Sequence, residues 1–298
     1  MPPVQQLERA WRLWDDATFN GDADMNPEHV LAQTLLRLWP FPRGAGRIAD
    51  RFFSRLAFDQ EIATVQTTDG FRMQVLPNDL IGRHIYLTGE FDRTTVEVLC
   101  NIAEPGDALL DIGANLGYVS GCFLANVPRS SAIAVEPHPA IVELCKSNLA
   151  QFGERARVAP VALSDHDGTE YLEICPWNLG ASKINPVSSR QTVAIETRTP
   201  DRLFSDFDVK HINIIKIDVE GHEEQVLRAL EPSLKILRPR AILFEDHTNK
   251  AAPDGALGSV LARCGYRVFG IRKKLTKIEH VSIRSADECR YNDYLAVL

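Results

Sequence analysis

The chain has 298 residues, of which 45% are hydrophobic and 24% charged, a composition typical of a folded protein with one large domain and an appendage. Its formal charge of −7 disfavours nucleic acid as a partner, because phosphate binding needs clustered lysine and arginine. The basic cluster at residues 272–277 is interpreted as a solvated loop between strands, and the six cysteines lack the C-x-x-C spacing of zinc and redox motifs. We expect no membrane span and a cytoplasmic location, since long apolar runs and a signal-like N-terminus are absent from the sequence.

Apolar residues at helical spacing predict two amphipathic helices, over residues 4–16 and 27–39. The apolar positions of the first helix are Val4, Leu7, Trp11 and Trp14, and those of the second are Val30, Leu31, Leu35, Leu38 and Trp39. Turn residues at 20–22 separate the helices, and proline and glycine at 40–44 end the second. Residues 1–60 therefore form a helical cap on one edge of the main domain, or a lid or homodimer surface that meets substrate or partner.

Residues 61–76 alternate in polarity on both sides of Asp69-Gly70, a dipeptide suited to a type I′ turn, and predict a β-hairpin. We expect a third short strand from His84 to Thr88 and then a helix over residues 90–102. Glu90 lies near the start of that helix, where an acid also interacts favourably with the helix dipole. Residues 61–104 are thus interpreted as a small β element with a connecting helix.

From residue 107 onward, predicted strands and helices alternate, which indicates an α/β fold with a doubly wound, mostly parallel sheet. The expected strands are 107–112, 131–135, 158–161, 211–217, 241–244, 265–271 and 291–298. The expected helices are 117–126, 139–151, a segment after residue 222, and 255–264. Polar, turn-rich sequence at 164–198 interrupts this alternation, with short β-like runs at 171–174 and 193–197.

A glycine-rich turn follows the first of these strands and reads Asp111-Ile-Gly113-Ala-Asn115-Leu-Gly117-Tyr118. In an open α/β sheet this turn lies at the carboxyl ends of the strands, where ligands meet the free N–H groups of a helix. The spacing differs from the dinucleotide motif G-x-G-x-x-G, and Asp111 favours an ammonium or sulfonium over a pyrophosphate. Glu136 ends the next strand, where a carboxylate can accept two hydrogen bonds from a ribose diol.

A second polar edge follows the β-branched run at 211–217, which is typical of a strand buried on both faces. The ends of this strand and the next carry five acid or histidine side chains that are expected to converge across the cleft from Asp111: Asp218, Glu220, His222, Glu245 and His247. Lys216 lies inside the strand. Because a buried unpaired ammonium is costly, we expect Lys216 to pair with one of these acids.

Five motifs occur in order between residues 85 and 250: Gly89-Glu90-Phe91, Asp111 to Tyr118, Val135-Glu136-Pro137, Ala162 to Gly168, and Ile215 to Glu223. They resemble the signature of the FkbM family of S-adenosylmethionine-dependent methyltransferases. The resemblance implies a class I methyltransferase (Rossmann-like) domain over residues 105–298, with a seven-stranded sheet that ends in an antiparallel hairpin. It also implies that Leu163 and Ser164 lie beside the adenine. The implied cofactor-binding residues are Glu90, Asp111, Gly113, Asn115, Gly117, Tyr118, Glu136, Leu163, Ser164 and Asp218.

The same resemblance implies O-methylation of a hydroxyl group on a sugar, a glycan or another secondary metabolite. An alcohol acceptor must lose its proton, and His222 or His247, oriented by Asp218 or Glu245, is a candidate general base. A divalent metal held by Asp218 and Glu245 (or Asp246) is the alternative. We favour the metal-free base, because no third ligand is compelling.

Three other functions are alternatives to this one. N-methylation of a base is disfavoured, because the Asn-Pro-Pro-aromatic tetrapeptide of amino methyltransferases is replaced by Asp218-Val-Glu-Gly. A non-catalytic adenosyl-binding subunit with a regulatory or assembly role predicts cofactor binding without turnover. An NAD-dependent oxidoreductase shares the acid at the second strand but lacks the G-x-G-x-x-G turn.

Overall fold

The structure is a computed structural model that describes residues 27–41, 43–175, 178–185, 189 and 192–298. The helix predicted over 4–16 and the turn at 20–22 lie outside these residues. The helix predicted over 27–39 is confirmed as α1 (Pro27–Arg37), and α2 (Ala45–Phe53) follows it.

The buried face of α1 differs from the predicted one. The helix buries His29, Ala32 and Leu36, whereas the predicted apolar positions Leu31 and Leu35 are 59% and 54% exposed. The His29 ring accounts for this orientation, because it lies against the rings of Phe58 and Tyr86 and its Nε2 is 3.0 Å from the Ala57 carbonyl oxygen.

The predicted hairpin is present as β1 (Ala63–Gln66) and β2 (Arg72–Val75), paired antiparallel. Its turn is not type I′, since only Gly70 of the Asp69-Gly70 pair has a positive φ. The prediction of a strand over 84–88 is wrong, because these residues belong to helix α3 (Leu80–Thr88). The side chain of Asp79 caps α3 by accepting hydrogen bonds from the N–H groups of Ile81 and Gly82. The alternating polarity of the sequence gave no indication of this helix start.

A mixed sheet of eight strands forms the centre of the molecule, in the order β13-β12-β14-β11-β10-β3-β4-β5. Its parallel strands are β3 (Ala108–Ile112), β4 (Ser131–Val135), β5 (Ala156–Ala159), β10 (Ile214–Ile217) and β11 (Ala241–Glu245). Its antiparallel strands are β12 (Arg267–Lys273), β13 (Ile278–Ser282) and β14 (Asp293–Val297). The α/β class is confirmed. The sheet has one strand more than the seven predicted, because β13 pairs with β12. Part of the basic segment at 272–277, which was interpreted as a loop, therefore belongs to β12 and to the hairpin turn between β12 and β13.

Helices cover both faces of this sheet, which explains why β3 and β10 are buried along their whole length. The helices after α3 are α4 (Arg93–Ile102), α5 (Tyr118–Asn126), α6 (Pro139–Leu149), α7 (Pro200–Asp206), α8 (Glu223–Leu237) and α9 (Ala256–Arg263). Short 3₁₀ segments are Ala150–Arg155, Leu179–Ala181 and Ala286–Glu288. The α8 face predicted from Val226, Leu227 and Leu230 is fully buried against the sheet.

The segment predicted as a polar interruption contains a second sheet, in the order β6-β9-β7-β8. Its strands are β6 (Ala162–Leu163), β7 (Gly168–Glu173), β8 (Lys183–Asn185) and β9 (Thr192–Arg198). The β-like run predicted at 171–174 overlaps β7, and the run predicted at 193–197 lies within β9. No helix in the described part of the chain is long and apolar enough to cross a membrane.

Helices α1 to α3 and the hairpin share one hydrophobic core with the main sheet's helices. Leu36, Met73 and Ile85 belong to the same buried cluster as Cys122 of α5 and Ile141 of α6. The N-terminal elements are therefore packed onto the edge of the sheet where α5 and α6 begin.

Candidate active site

A cavity of about 630 Å³ opens at the carboxyl ends of the parallel strands, a size typical of small-molecule sites. The predicted site residues on its wall are Glu90, Gly113, Asn115, Tyr118, Glu136, Leu163, Asp218, Glu220, His222 and Glu245. Four further predicted residues do not line it: Asp111, Gly117, Ser164 and His247. Helices α2 and α3 and the 178–182 segment also contribute to the wall, so the N-terminal elements border the same space.

The glycine turn brings the ends of β3 and β10 into direct contact. Gly113 has φ of 79°, and a Cβ at this position would lie 1.8 Å from the carbonyl oxygen of Asp218. The N–H groups of Gly113 and Ala114 both donate to the carbonyl oxygen of Val135, at 2.9 and 3.0 Å. Only glycine allows this approach, so the turn fixes the spacing between the tips of three strands.

Asp111 lies behind the cavity wall instead of on it. Its carboxylate is fully buried, accepts a 2.7 Å hydrogen bond from the Ser120 hydroxyl, and lies 3.3 Å from Nζ of Lys216. The ammonium next to Asp111 is thus the chain's own, which is why the acid does not face a ligand.

Lys216 is the cation at the centre of the site. Its Nζ donates to the Gly113 carbonyl oxygen at 2.7 Å and lies 3.5 Å from Asp218, so the predicted pairing of this lysine is confirmed. Burial opposes its charge, but the carboxylates of Asp111 and Asp218 outweigh burial and raise the pKa of Lys216. The ammonium links the glycine turn to the end of β10.

Glu136 is held by two backbone hydrogen bonds at the tip of β4. Its Oε2 accepts from the N–H of Asn115 at 2.9 Å, and its Oε1 accepts from the N–H of His138 at 2.8 Å. Burial raises the pKa of Glu136 to about 7, against the opposing effect of these hydrogen bonds and of Lys216. Each carboxylate oxygen has lone pairs left, so the group can still accept from a diol.

Three acids meet at the ends of β10 and β11. Carboxylate oxygens of Asp218, Glu220 and Glu245 lie within 4.8 Å of one another. Burial, with the charges of Asp218 and Asp293, raises the pKa of Glu245 to about 9, which favours the protonated form of this side chain at neutral pH. Burial also raises the pKa of Glu220, and the backbone of Glu220 is left-handed, with φ of 51°.

The two histidines differ in their relation to this acid cluster, since His247 contacts it and His222 does not. His222 Nε2 lies 3.0 Å from the Ser164 hydroxyl, and burial lowers the pKa of His222. His247 Nε2 lies 3.0 Å from Glu245 and lines a second cavity of about 120 Å³, which shares Glu220 and Glu245 with the first. Of the five side chains predicted to converge, the three acids form one cluster and His247 contacts it through Glu245, as predicted, whereas His222 does not.

The remaining predicted residues are distributed as follows. Leu163 is a buried apolar part of the wall, while Ser164 is fully buried with its N–H bonded to the Arg198 carbonyl oxygen. Glu90 follows the end of α3 and precedes the start of α4, instead of lying in a helix. Asp246 is unsuited to a metal, because its carboxylate accepts from the N–H groups of Thr248 and Ala251.

Sequence reasoning missed His138 as a site residue. It is the N-cap of α6, lies two positions after Glu136 and borders the cavity. Pro139, at the first position of the helix, was the available signal, because a proline there places the capping side chain one residue earlier. Asn178 and Leu179 also line the cavity, and the turn-rich sequence around them gave no indication of it.

Comparisons with known proteins identify the family of this chain. A model of the methyltransferase FkbM domain matches residues 111–268, which is just over half of the chain. The hexuronic acid methyltransferase AglP of Haloferax volcanii is 31% identical over 151 residues, which span 50% of this chain and 59% of that protein. The 2-O-methyltransferase NoeI of Sinorhizobium fredii is 26% identical, over 54% of this chain and 71% of its own length. A crystal structure of methyltransferase FkbM from Methylobacillus flagellatus aligns with a TM-score of 0.43 at 15% identity, over 72% of this chain and 52% of that one.

Proposed function

This chain belongs to the FkbM family of methyltransferases, and from that premise we propose that it transfers the methyl group of S-adenosylmethionine to a hydroxyl group. The acceptor is a sugar, a glycan or a related secondary metabolite. The observation that carries this proposal is the joint position of Glu136 and of the acid cluster on the wall of one cavity. The names of the Haloferax and Sinorhizobium relatives, a hexuronic acid methyltransferase and a 2-O-methyltransferase, support a sugar hydroxyl as the acceptor.

The wall on the Glu136 side suits an adenosyl group. Glu136 offers lone pairs to the ribose hydroxyls, and Val135 and Leu163 present apolar surface next to it. The turn at Gly113 and Asn115 borders the same space. When bound, S-adenosylmethionine supplies a methyl group that is already activated for displacement, so the protein must chiefly position the acceptor.

The acid cluster receives the acceptor in this proposal. A carboxylate accepts hydrogen bonds from hydroxyl groups and a protonated carboxyl group also donates one, so Asp218 and Glu245 hold the acceptor while Glu220 takes the proton of the reacting hydroxyl. Glu220 is the candidate base for two reasons: its raised pKa makes it a stronger proton acceptor than an ordinary glutamate, and its left-handed backbone is a strained conformation of the kind found at functional sites. This assignment replaces His222, which faces Ser164, and His247, which contacts Glu245 from outside the main cavity.

A divalent metal remains the competing use of the same acids, since three carboxylates this close can share one cation. The ammonium of Lys216 already offsets the charge of Asp218, which favours the metal-free route. A chelator separates the two: with Glu220 as base, EDTA leaves the rate unchanged. Loss of activity in EDTA with recovery in Mg²⁺ would assign the cluster to a metal.

The test of the proposed function is transfer of labelled methyl from S-adenosylmethionine to a panel of sugars and uronic acids. Glu220→Gln removes the proton acceptor at nearly constant volume, so the rate should fall by roughly 10²- to 10⁴-fold. S-adenosylhomocysteine should bind this variant as it binds the wild type. Full activity in Glu220→Gln would exclude Glu220 as the base, and cofactor binding without transfer to any acceptor would favour a non-catalytic subunit.

A further inference from the structure

The imidazole of His138 has a single tautomer fixed by the fold. Its Nδ1 accepts from the N–H groups of Ala140 and Ile141, at 3.2 and 3.4 Å, and so caps α6. A ring nitrogen that accepts carries no proton, so in the neutral ring the hydrogen is on Nε2. Burial lowers the pKa of His138, which keeps the ring neutral.

That Nε2–H group is buried without a hydrogen-bond acceptor in the described part of the chain. Only 8% of His138 is exposed. A buried donor left unpaired is unfavourable and uncommon, so the helix cap alone does not account for this side chain. His138 lines the cavity and follows Glu136 by two residues, so a ligand bound beside Glu136 can supply the missing acceptor.

We propose that His138 is a cofactor-binding residue whose Nε2–H donates to a ribose hydroxyl oxygen of the adenosyl group. This inference rests on the proposed function, since it takes the nucleoside next to Glu136 to be that of S-adenosylmethionine. It assigns two roles to one residue. The backbone N–H of His138 holds the Glu136 carboxylate at 2.8 Å, and its ring holds the group that this carboxylate binds.

The chemistry of the two side chains is complementary. Glu136 can only accept when it is ionised, so it binds a diol through the hydroxyl protons. A hydroxyl oxygen that has donated its proton still has two lone pairs, which need a donor. The neutral tautomer of His138 offers that donor without adding a positive charge near the sulfonium.

Two variants separate the cap from the donor. His138→Asn keeps an acceptor at the position of Nδ1, since asparagine is among the best N-cap residues, but it has no group at the position of Nε2. His138→Ala loses both. We expect His138→Asn to retain the melting temperature of the wild type and to bind S-adenosylhomocysteine about 2- to 10-fold more weakly by calorimetry, whereas His138→Ala also melts earlier.

Deoxy analogues identify the hydroxyl. With 2′-deoxy- or 3′-deoxy-S-adenosylhomocysteine, the penalty of His138→Asn should disappear for the analogue that lacks the accepting oxygen and persist for the other. Wild-type affinity in His138→Asn, or an equal penalty with both analogues, would overturn the inference while leaving the proposed function intact. Failure of the wild type to bind S-adenosylhomocysteine would instead overturn the proposed function and the inference with it.

Discussion

Individual charges at this site are arranged in a chain of alternating sign. Asp111 lies beneath Lys216, and Lys216 lies beneath Asp218 at the cavity wall. The sequence predicted a paired lysine, since an isolated buried ammonium is costly. The sequence did not predict that Asp111 would be the buried partner of Lys216. The pattern of a strand shows which face of the sheet a side chain lies on, but not which side chain of the neighbouring strand it contacts.

Removal of Lys216 tests this arrangement. Lys216→Met leaves the carboxylate of Asp111 buried without its counter-charge, and such a loss costs about 3 to 5 kcal/mol in the free energy of unfolding. The double variant Asp111→Asn with Lys216→Met should recover part of that loss. Lys235→Met is the control, because Lys235 forms an exposed pair with Glu231 on α8. Urea unfolding measures all four proteins, and equal stability of the two lysine variants would refute the pairing.

At the scale of single elements, most strands of the main sheet and the helices that follow them were predictable from the sequence. The features that were not include β13, helix α3 and the orientation of α1. Continuous apolar runs bounded by turns predicted β3, β4, β10 and β11. A strand that is buried on both faces is apolar at successive positions, so such a run is its expected pattern. The C-terminal half of helix α3 was predicted as a strand, because its short sequence alternates in polarity. The Asp79 side chain caps this helix, and that capping signal was not recognised in the sequence. Leu31 and Leu35 face solvent because His29, on the buried face of α1, contacts aromatic residues that are distant in the sequence. The spacing of apolar residues within α1 carries no information about such contacts.

The turn between β3 and α5 can be tested with two glycines of similar backbone. Gly113→Ala places a methyl group 1.8 Å from the Asp218 carbonyl oxygen, whereas Gly70→Ala, at φ of 87°, meets no atom within 4 Å. Both substitutions strain a left-handed residue by about 1 to 2 kcal/mol. Only Gly113→Ala should also displace the end of β10 and abolish calorimetric binding of S-adenosylhomocysteine. Equal binding by the two variants would contradict the role of the turn.

At the scale of the whole molecule, the N-terminal elements and the sheet domain share a core. The sequence indicated separate segments at 1–60, 61–104 and 105–298, because the nucleotide-binding motifs begin only after residue 85. Contacts between distant segments, such as Leu36 and Met73 with Cys122 and Ile141, are set by the tertiary fold and leave no local pattern. For the same reason the sequence predicted the Glu136 side of the cavity better than the wall built by α2 and α3.

Substitutions at Leu36 and Leu31, both on α1, test whether the N-terminal helices and the sheet domain share one core. Leu36 is buried, so Leu36→Ala should cost about 2 to 5 kcal/mol, whereas Leu31→Ala, at an exposed position, should cost about 0.5 kcal/mol or less. We expect one thermal transition by circular dichroism in both variants, at a lower temperature for Leu36→Ala. A second, separate transition in Leu36→Ala would show that the N-terminal helices unfold on their own.

The most direct test of the central claim is calorimetric binding of S-adenosylhomocysteine to the wild type, Glu136→Ala and Glu136→Gln. At pH 8 the loss of the charged acceptor in Glu136→Ala should weaken binding roughly 10- to 100-fold. Because the pKa of Glu136 is raised to about 7, lowering the pH from 8 to 6 protonates this acid and should weaken binding to the wild type but not to Glu136→Gln. Absence of binding by the folded wild type would contradict the account.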